Sequence, residues 1–165
     1  VLEFADIITT HAMKDTNTNV GGWPATSMRT FVNNDIYNAL PSDLRSAIID
    51  TTVVSSHGST SGETNFTSTD KLYLLAPKEI YTDFSNSYVT AKDLKRTLDY
   101  YTSIEVTTIS YSVAIKKNGT SAAAWCLRVA TSSRTSTFLR VTSAGGWRSN
   151  PALNSGGVAP AFRLG

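Results

Sequence analysis

The spacing of hydrophobic residues changes along the chain, from a helical repeat near the start to strand-like runs near the end. Apolar side chains three or four positions apart predict a helix that begins at Thr26 or Ser27. Its apolar face consists of Met28, Phe31, Val32, Ile36 and Leu40. A second, short helix is predicted from Ser42, a residue type that often caps helices at their N-terminus. Both helices therefore lie in the first third of the chain.

Most other apolar residues occur in short runs rich in β-branched and aromatic side chains, which favour strands. The predicted strands are 2–10, 51–55, 70–75, 124–129, 137–143 and 158–164, and 70–75 is expected to be central. Further helices are predicted over 77–81 and 90–101. Polar loops are predicted over 57–69 and 147–156, and a turn over 116–119. Residues 102–115 fit either a strand or a loop. Because the helices come early and the strands cluster late, the sequence predicts the α+β class with a late antiparallel sheet.

The last 45 residues, 121–165 and here called the tail, differ in composition from the rest of the chain. The tail contains five arginines but no Asp, Glu or Lys, whereas residues 1–120 contain all 13 acidic residues and all seven lysines. A length of 165 residues suits one domain. We therefore interpret 1–165 as a single domain with two parts, and its start at Val1 without Met is compatible with excision from a longer protein.

The five tail arginines fall into two groups. Acidic residues from the first 120 positions could pair with Arg128 and Arg163. Arg134, Arg140 and Arg148 have no acidic neighbour in the sequence, and such guanidiniums are stable where solvent or an anionic partner meets them. Ser, Thr and Asn also alternate with apolar residues here, which argues against a wholly buried sheet. We therefore expect these three arginines to be exposed.

The sequence contains no pattern that would support catalysis or metal binding. His11 and His57 lie far apart in polar sequence, and a catalytic histidine needs a positioned partner. The single cysteine, Cys126, lies between Trp125 and Leu127 in a predicted strand and is interpreted as a small buried residue. Neither a phosphate-binding glycine loop nor a metal-ligand motif is present. The sequence therefore predicts no enzyme activity, no cofactor and no metal site.

The sequence also predicts no nucleic-acid partner and no direct membrane insertion. The net charge of +2 is too small to indicate nucleic-acid binding by itself. No apolar run approaches the length of a transmembrane helix. The sequence does not indicate an oligomeric state.

Two groups of short motifs carry a family resemblance. The C-terminal group is Trp125-Cys126-Leu127-Arg128, Phe138-x-x-Val141, Gly145-x-Trp147 and Gly157-Val158-Ala159-Pro160-Ala161-Phe162-Arg163-Leu164. The upstream group is Gly21-Gly22-Trp23-Pro24, Met28-Arg29, Asn33, Asp70-Lys71-Leu72-Tyr73-Leu74-Leu75 and Glu79-Ile80. Together they resemble a bacterial surface-domain family, which implies a C-type-lectin-like fold over nearly the whole chain. Cys126 stands where that family usually has a second Trp, and Val129 where it usually has Ser.

These departures and the tail composition resemble one subgroup, the variable proteins of diversity-generating retroelements. Their C-terminal cassette is mutagenised at adenines of a template, and mutagenised Asn-type codons cannot yield Lys, Glu, Gln or Met. The tail lacks all four residue types. The resemblance implies that residues 1–120 are a scaffold and that 121–165 are a variable ligand-binding cassette in which Trp125 and Trp147 are fixed.

The resemblance further implies a ligand-binding module displayed outside a bacterial cell or on a phage particle, with a protein or a surface glycan as its ligand. The varied positions are expected to form one contiguous, solvent-facing surface that carries the ligand contacts. These candidates are Ala124, Cys126, Val129, Thr131, Arg134, Ser136, Leu139, Arg140, Thr142, Ala144, Arg148, Ser149, Pro151, Leu153 and Ser155. The residues expected to be buried are Trp125, Leu127, Phe138, Val141, Trp147 and Phe162, and those expected to be exposed include Leu153 and Asn154.

Three other functions stay open. A carbohydrate-binding, lectin-like domain of a bacterial adhesin would share the fold, although calcium-dependent sugar sites use clustered acids that the tail lacks. An enzyme similar to the formylglycine-generating enzymes would also share it, although those enzymes rely on paired cysteines. The third alternative is a purely structural domain of a larger adhesin.

Overall fold

The computed structural model describes residues 1–85 and 97–165, which form a mixed α+β architecture. The α-helices are α1 (Ser27–Phe31), α2 (Tyr37–Ala39), α3 (Ser42–Ala47), α4 (Pro77–Ile80) and α5 (Asp99–Ser103). The strands are β1 (Leu2–Glu3), β2 (Thr9–Ala12), β3 (Ile48–Ile49), β4 (Thr51–Ser55), β5 (Phe66–Asp70), β6 (Lys116–Asn118), β7 (Ser121–Ala123), β8 (Trp125–Ala130), β9 (Thr137–Val141), β10 (Trp147–Pro151), β11 (Ser155–Val158) and β12 (Ala161–Leu164). The α+β class is therefore confirmed.

The first predicted helix is confirmed over most of its length, but it contains a π-helical turn. Thr26 caps α1, because its side-chain oxygen accepts a hydrogen bond from the Arg29 backbone N–H at 3.0 Å. The π-helical turn Val32–Ile36 then joins α1 to α2. Met28, Val32 and Ile36 are buried, as the apolar spacing predicted. The second helix is also confirmed, although Ser42 is its first residue and not its cap.

The largest sheet combines the tail with one early strand. Its order is β10-β9-β8-β11-β2, and neighbours are antiparallel except for β8 and β11, which are parallel. The late antiparallel sheet is thus present with two differences, since β2 from the start of the chain forms one edge and one strand pair is parallel. The smaller sheets of the described residues are β1-β12-β3, β4-β5 and β6-β7.

Several predicted element boundaries are wrong. Residues 70–75 are not a central strand, although Leu72 to Leu75 are almost fully buried. Asp70 is the last residue of β5, and from Lys71 to Leu75 only Tyr73 forms a bridge, to Ala161. Conversely, β5 lies partly inside the predicted loop 57–69, and β10 and β11 occupy much of the predicted loop 147–156. Most of the helix predicted over 90–101 lies outside the described residues.

The core confirms most of the predicted scaffold. Trp125, Leu127, Phe138, Val141 and Phe162 are buried, and their neighbour Trp147 is partly buried against the core. The Trp125 indole N–H donates to the Ala114 carbonyl at 3.1 Å, which satisfies its polar atom inside the core. Of the residues expected to be exposed, Arg134, Arg148, Leu153 and Asn154 are exposed, whereas Arg140 is only partly exposed.

A close contact between β11 and β8 leads to a stability prediction. A Cβ atom added at Gly156 would lie 2.6 Å from the Cys126 sulfur. We expect Gly156→Ala to lower the free energy of unfolding by about 1–3 kcal/mol, because the buried thiol has little room to move. In a Cys126→Ala background the same change should cost clearly less. Urea denaturation of the four proteins measures this difference, with Ser155→Ala as an exposed control, and equal costs in both backgrounds would refute the contact.

Candidate ligand-binding surface

The strand register divides the predicted site residues between two faces of the large sheet. Residues directly opposite each other on antiparallel strands share a face. Arg140 lies opposite both Cys126 and Arg148, so these three share one face. Leu139 lies opposite Ser149 and therefore shares the other face with it. The prediction of one contiguous surface is consequently wrong for the sheet positions.

Four candidates do not face solvent at all. Cys126, Val129, Thr131 and Leu139 are at most 2% exposed, so the prediction that they form part of a solvent-facing surface is wrong. Both faces of β8 are covered, since all six of its residues are buried. The remaining candidates are exposed or partly exposed: Ala124, Arg134, Ser136, Arg140, Thr142, Ala144, Arg148, Ser149, Pro151, Leu153 and Ser155.

A β-bulge explains why exposed and buried residues do not alternate along β8 as predicted. The register against β9 shifts between Cys126, which pairs with Arg140, and Ala130, which pairs with Phe138. Three residues of β8 therefore lie opposite a single residue of β9 between these two pairs. Within the bulge, the Arg128 backbone N–H donates to the Leu75 carbonyl at 3.1 Å instead of to β9. The buried segment that ends near Leu75 thus covers residues that simple alternation would expose.

A shallow groove of about 420 Å³ brings some of the candidates together. Its lining residues come from β9, β10 and the connection between β8 and β9, and all of them belong to the tail. They are Thr131, Ser133, Arg134, Thr137, Leu139, Trp147, Arg148 and Ser149, here called the tail groove. Five of these eight are predicted site residues, and two of those five, Thr131 and Leu139, are buried.

A buried asparagine from the start of the chain holds one wall of the tail groove. The Asn19 side-chain N–H₂ donates to the carbonyls of Arg134 and Thr137 at 2.9 Å and of Thr131 at 3.3 Å. Its backbone N–H donates to the Thr135 carbonyl at 2.7 Å. Asn19 is fully buried. Asn19 was not among the predicted site residues, because nothing in its polar sequence neighbourhood distinguishes it from a turn residue.

The tail arginines differ in their partners. Arg128 is buried and its guanidinium lies 2.5 Å from the Glu79 carboxylate, so the expected pairing with an acid from the first 120 residues is confirmed. Arg163 is exposed instead, and the expected pairing is not found for it among the described residues. Arg134 and Arg148 are exposed and Arg140 is partly exposed. No described carboxylate forms an ion pair with any of these three.

The Cys126 thiol is unreactive as a nucleophile in this environment. Burial raises the pKa of its thiol to about 12, although the nearby Arg140 charge acts in the opposite direction. A thiol with such a pKa is protonated at neutral pH, and the thiolate is the nucleophilic form. The interpretation of Cys126 as a small buried residue is therefore confirmed.

A larger cavity of about 990 Å³ lies mainly outside the tail. Its wall includes Lys116, whose ammonium lies 3.5 Å from the Glu3 carboxylate and donates to the Phe4 carbonyl at 2.8 Å. The Tyr101 hydroxyl bonds to the same carboxylate. Burial raises the pKa of Glu3 and lowers that of Lys116, because both charges are partly removed from water. No sequence pattern indicates this cluster, because its members lie about 100 residues apart.

Two further properties bear on function. Within residues 1–85 and 97–165, no three His, Cys, Asp or Glu side chains lie close enough together to hold a metal ion. In the same part of the chain, no helix has the length and apolar character needed to cross a membrane.

Comparison with known families places the chain in one of them. Residues 2–165 match the sequence profile of a family described as a domain of unknown function, DUF6273, and the chain belongs to that family. No curated protein and no solved structure matches the chain.

Proposed function

We propose that this member of the DUF6273 family is a ligand-binding display module that recognises a macromolecule, a protein or a surface glycan, through the tail groove. One observation carries the proposal. All eight groove residues belong to the tail, the segment of the chain that contains arginine but neither acids nor lysine. Exposed Arg134 and Arg148 have no ion-pair partner among the described carboxylates, so they are free to meet a ligand.

The structure behind the groove suits a surface that changes while the fold stays constant. β8 is buried on both faces and Asn19 fixes the adjoining loop. Exposed residues on such a frame can change at a cost of roughly 0.5 kcal/mol or less each. Binding residues are commonly placed on loops that a rigid scaffold positions.

The proposal also covers the fold of the module, where it is displayed and how its sequence is diversified. It includes a C-type-lectin-like fold, display outside a bacterial cell or on a phage particle, and retroelement diversification of the tail codons. The support is the tail composition together with the motifs around Trp125 and Trp147. Burial refines the expectation, because diversified codons should encode exposed residues such as Arg134 and Leu153 and should spare buried Val129.

The neighbouring DNA tests the diversification. We expect a near-identical repeat of the segment that encodes residues 121–165, with differences at adenines, beside a reverse transcriptase gene. Those differences should coincide with codons for exposed tail positions. A locus without such a repeat would remove the retroelement part of the proposal and leave the binding module as a separate question.

A groove variant tests the binding function. Ser133→Tyr, Arg134→Ser and Ser149→Tyr together should leave a cooperative melt within a few degrees of the wild type, since all three residues are exposed. Binding to an array of bacterial surface glycans and envelope proteins should change in its pattern of ligands. The control carries the same number of exposed changes outside the tail, Asp15→Ser, Asn17→Tyr and Asp43→Ser. If both variants keep the wild-type pattern, the tail groove is not the binding site.

A further inference from the structure

Two arginines lie directly opposite each other on neighbouring strands of the large sheet. Arg140 of β9 pairs in register with Arg148 of β10. Side chains in opposite positions of an antiparallel pair share a face and have Cβ atoms about 5 Å apart, and like charges placed there repel each other. The pair is therefore unfavourable by itself and becomes favourable when an anion lies between the two guanidiniums.

Arg140 is held in place but is not fully satisfied. One of its terminal N–H groups donates to the Asn150 side-chain oxygen at 3.2 Å, and Asn150 is itself 4% exposed. The Arg140 Nε atom is buried and has no hydrogen-bond partner within the described structure. A buried donor in this state is costly. Asn150 thus orients a guanidinium that still has donors to offer.

No negative charge competes for the pair within the tail or, as an ion pair, among the described residues. The tail has no Asp or Glu, and no described carboxylate forms an ion pair with Arg140 or Arg148. On the same face, the residue opposite Arg140 on its other side is Cys126, a buried free thiol. Arg148 is exposed, so a ligand can reach the pair from solvent.

From this geometry we infer that Arg140 and Arg148 together bind a tetrahedral oxyanion, a sulfate or phosphate group carried by the ligand of the tail. Guanidinium groups present paired N–H donors that match the oxygens of such groups, and two guanidiniums supply both charge and directionality. Asn150 acts as the positioning residue for Arg140. This inference rests on the proposed function, because it names the chemistry of one group in the proposed ligand, which would reach the pair through Arg148, the member that also lines the tail groove.

Inorganic sulfate and inorganic phosphate are suitable probes for this pair. In spectra of the arginine Nε–Hε groups, the Arg140 signal should shift saturably with either anion, and matched additions of sodium chloride should not reproduce the shift. Arg148→Gln, followed through the Arg140 signal, and Arg140→Gln, followed through the Arg148 signal, should each weaken the binding at least tenfold. Arg163→Gln removes an exposed arginine on a different sheet and should leave it unchanged.

Separate experiments distinguish a sulfate group from a phosphate group as the source of the anion. A sulfated disaccharide and a phosphorylated sugar, each compared with its uncharged parent, show which ester binds more tightly. The absence of a saturable shift, or an equal loss in Arg163→Gln, would overturn the inference. If Arg140→Gln does not fold, Arg148→Gln still decides the result because Arg148 is exposed.

Failure of this inference can be told apart from failure of the proposed function. The groove variant above retains both Arg140 and Arg148. If it changes the array pattern while sulfate and phosphate do not bind, only the anion chemistry is wrong. If the anions bind at the pair while the array pattern stays the same, only the proposed groove function fails.

Discussion

Arg128→Met will lower the free energy of unfolding by about 3–5 kcal/mol, because it removes one partner from a buried ion pair. The Arg128 side chain is 3% exposed, and one of its terminal nitrogens lies 2.5 Å from a Glu79 oxygen. The same guanidinium donates to the Leu74 carbonyl at 2.9 Å and to the Val54 carbonyl at 3.1 Å. Removing it leaves a largely buried carboxylate and two carbonyls without their donors. The guanidinium therefore joins β8, β4 and the segment before α4.

A double-mutant cycle separates the ion pair from the packing of the arginine stem. Glu79→Gln keeps an oxygen that can accept the Ala76 backbone N–H, which Glu79 binds at 2.7 Å. The double variant Arg128→Met, Glu79→Gln should be more stable than Arg128→Met alone, since no uncompensated carboxylate remains. Arg163→Met is the control and should change the free energy by about 0.5 kcal/mol or less, because Arg163 is exposed. Urea denaturation gives all four values, and a loss under 1 kcal/mol for Arg128→Met would contradict the expectation.

Local sequence was sufficient for the elements that depend on local physics. The helix face of Met28, Val32 and Ile36 follows from its spacing, and β4 follows from its β-branched residues. The stretch from Leu72 to Leu75 misled because hydrophobic content reports burial and not strand pairing. Those residues are buried as expected, yet the backbone pairs with another strand at one residue, Tyr73.

The candidate surface was harder to predict, because exposure on a sheet depends on elements that are distant in sequence. Composition correctly indicated that Arg134 and Arg148 are exposed. Val129 and Leu139 look equally variable in the sequence but are buried. In β8 the cause is the bulge, which turns the Arg128 backbone towards Leu75, about 50 residues earlier in the chain. Strand alternation alone contains no information about such a contact.

Asn19, near the start of the chain, is a second residue whose contacts local sequence cannot predict. Its hydrogen-bond partners Thr131 and Thr137 lie 112 and 118 residues away. In the sequence it is one of several Asn and Thr residues in a turn-like stretch. Its environment is nevertheless specific, because a Cβ atom added at Gly58 would collide with the Asn19 side chain. The wall of the tail groove thus depends on two residues that lie far outside the tail.

Asn19→Asp will destabilise the protein by roughly 3 kcal/mol or more at neutral pH, because it exchanges a donating N–H₂ for an acceptor and buries an unpaired charge. The new oxygen would meet the carbonyls of Thr131, Arg134 and Thr137, which now accept from Asn19.

The carboxyl group introduced at position 19 is buried, so its pKa in the folded state lies above the unfolded value and the folded state holds the proton more tightly. Stability relative to the wild type should therefore improve as the pH falls through that folded-state pKa, and the deficit should be fully expressed above it. Exposed Asn17 provides the control, since Asn17→Asp should show neither the loss nor the pH dependence. Urea denaturation of the three proteins between pH 4 and pH 8 measures both effects, and a small deficit that does not change with pH would show that Asn19 does not hold the wall of the tail groove.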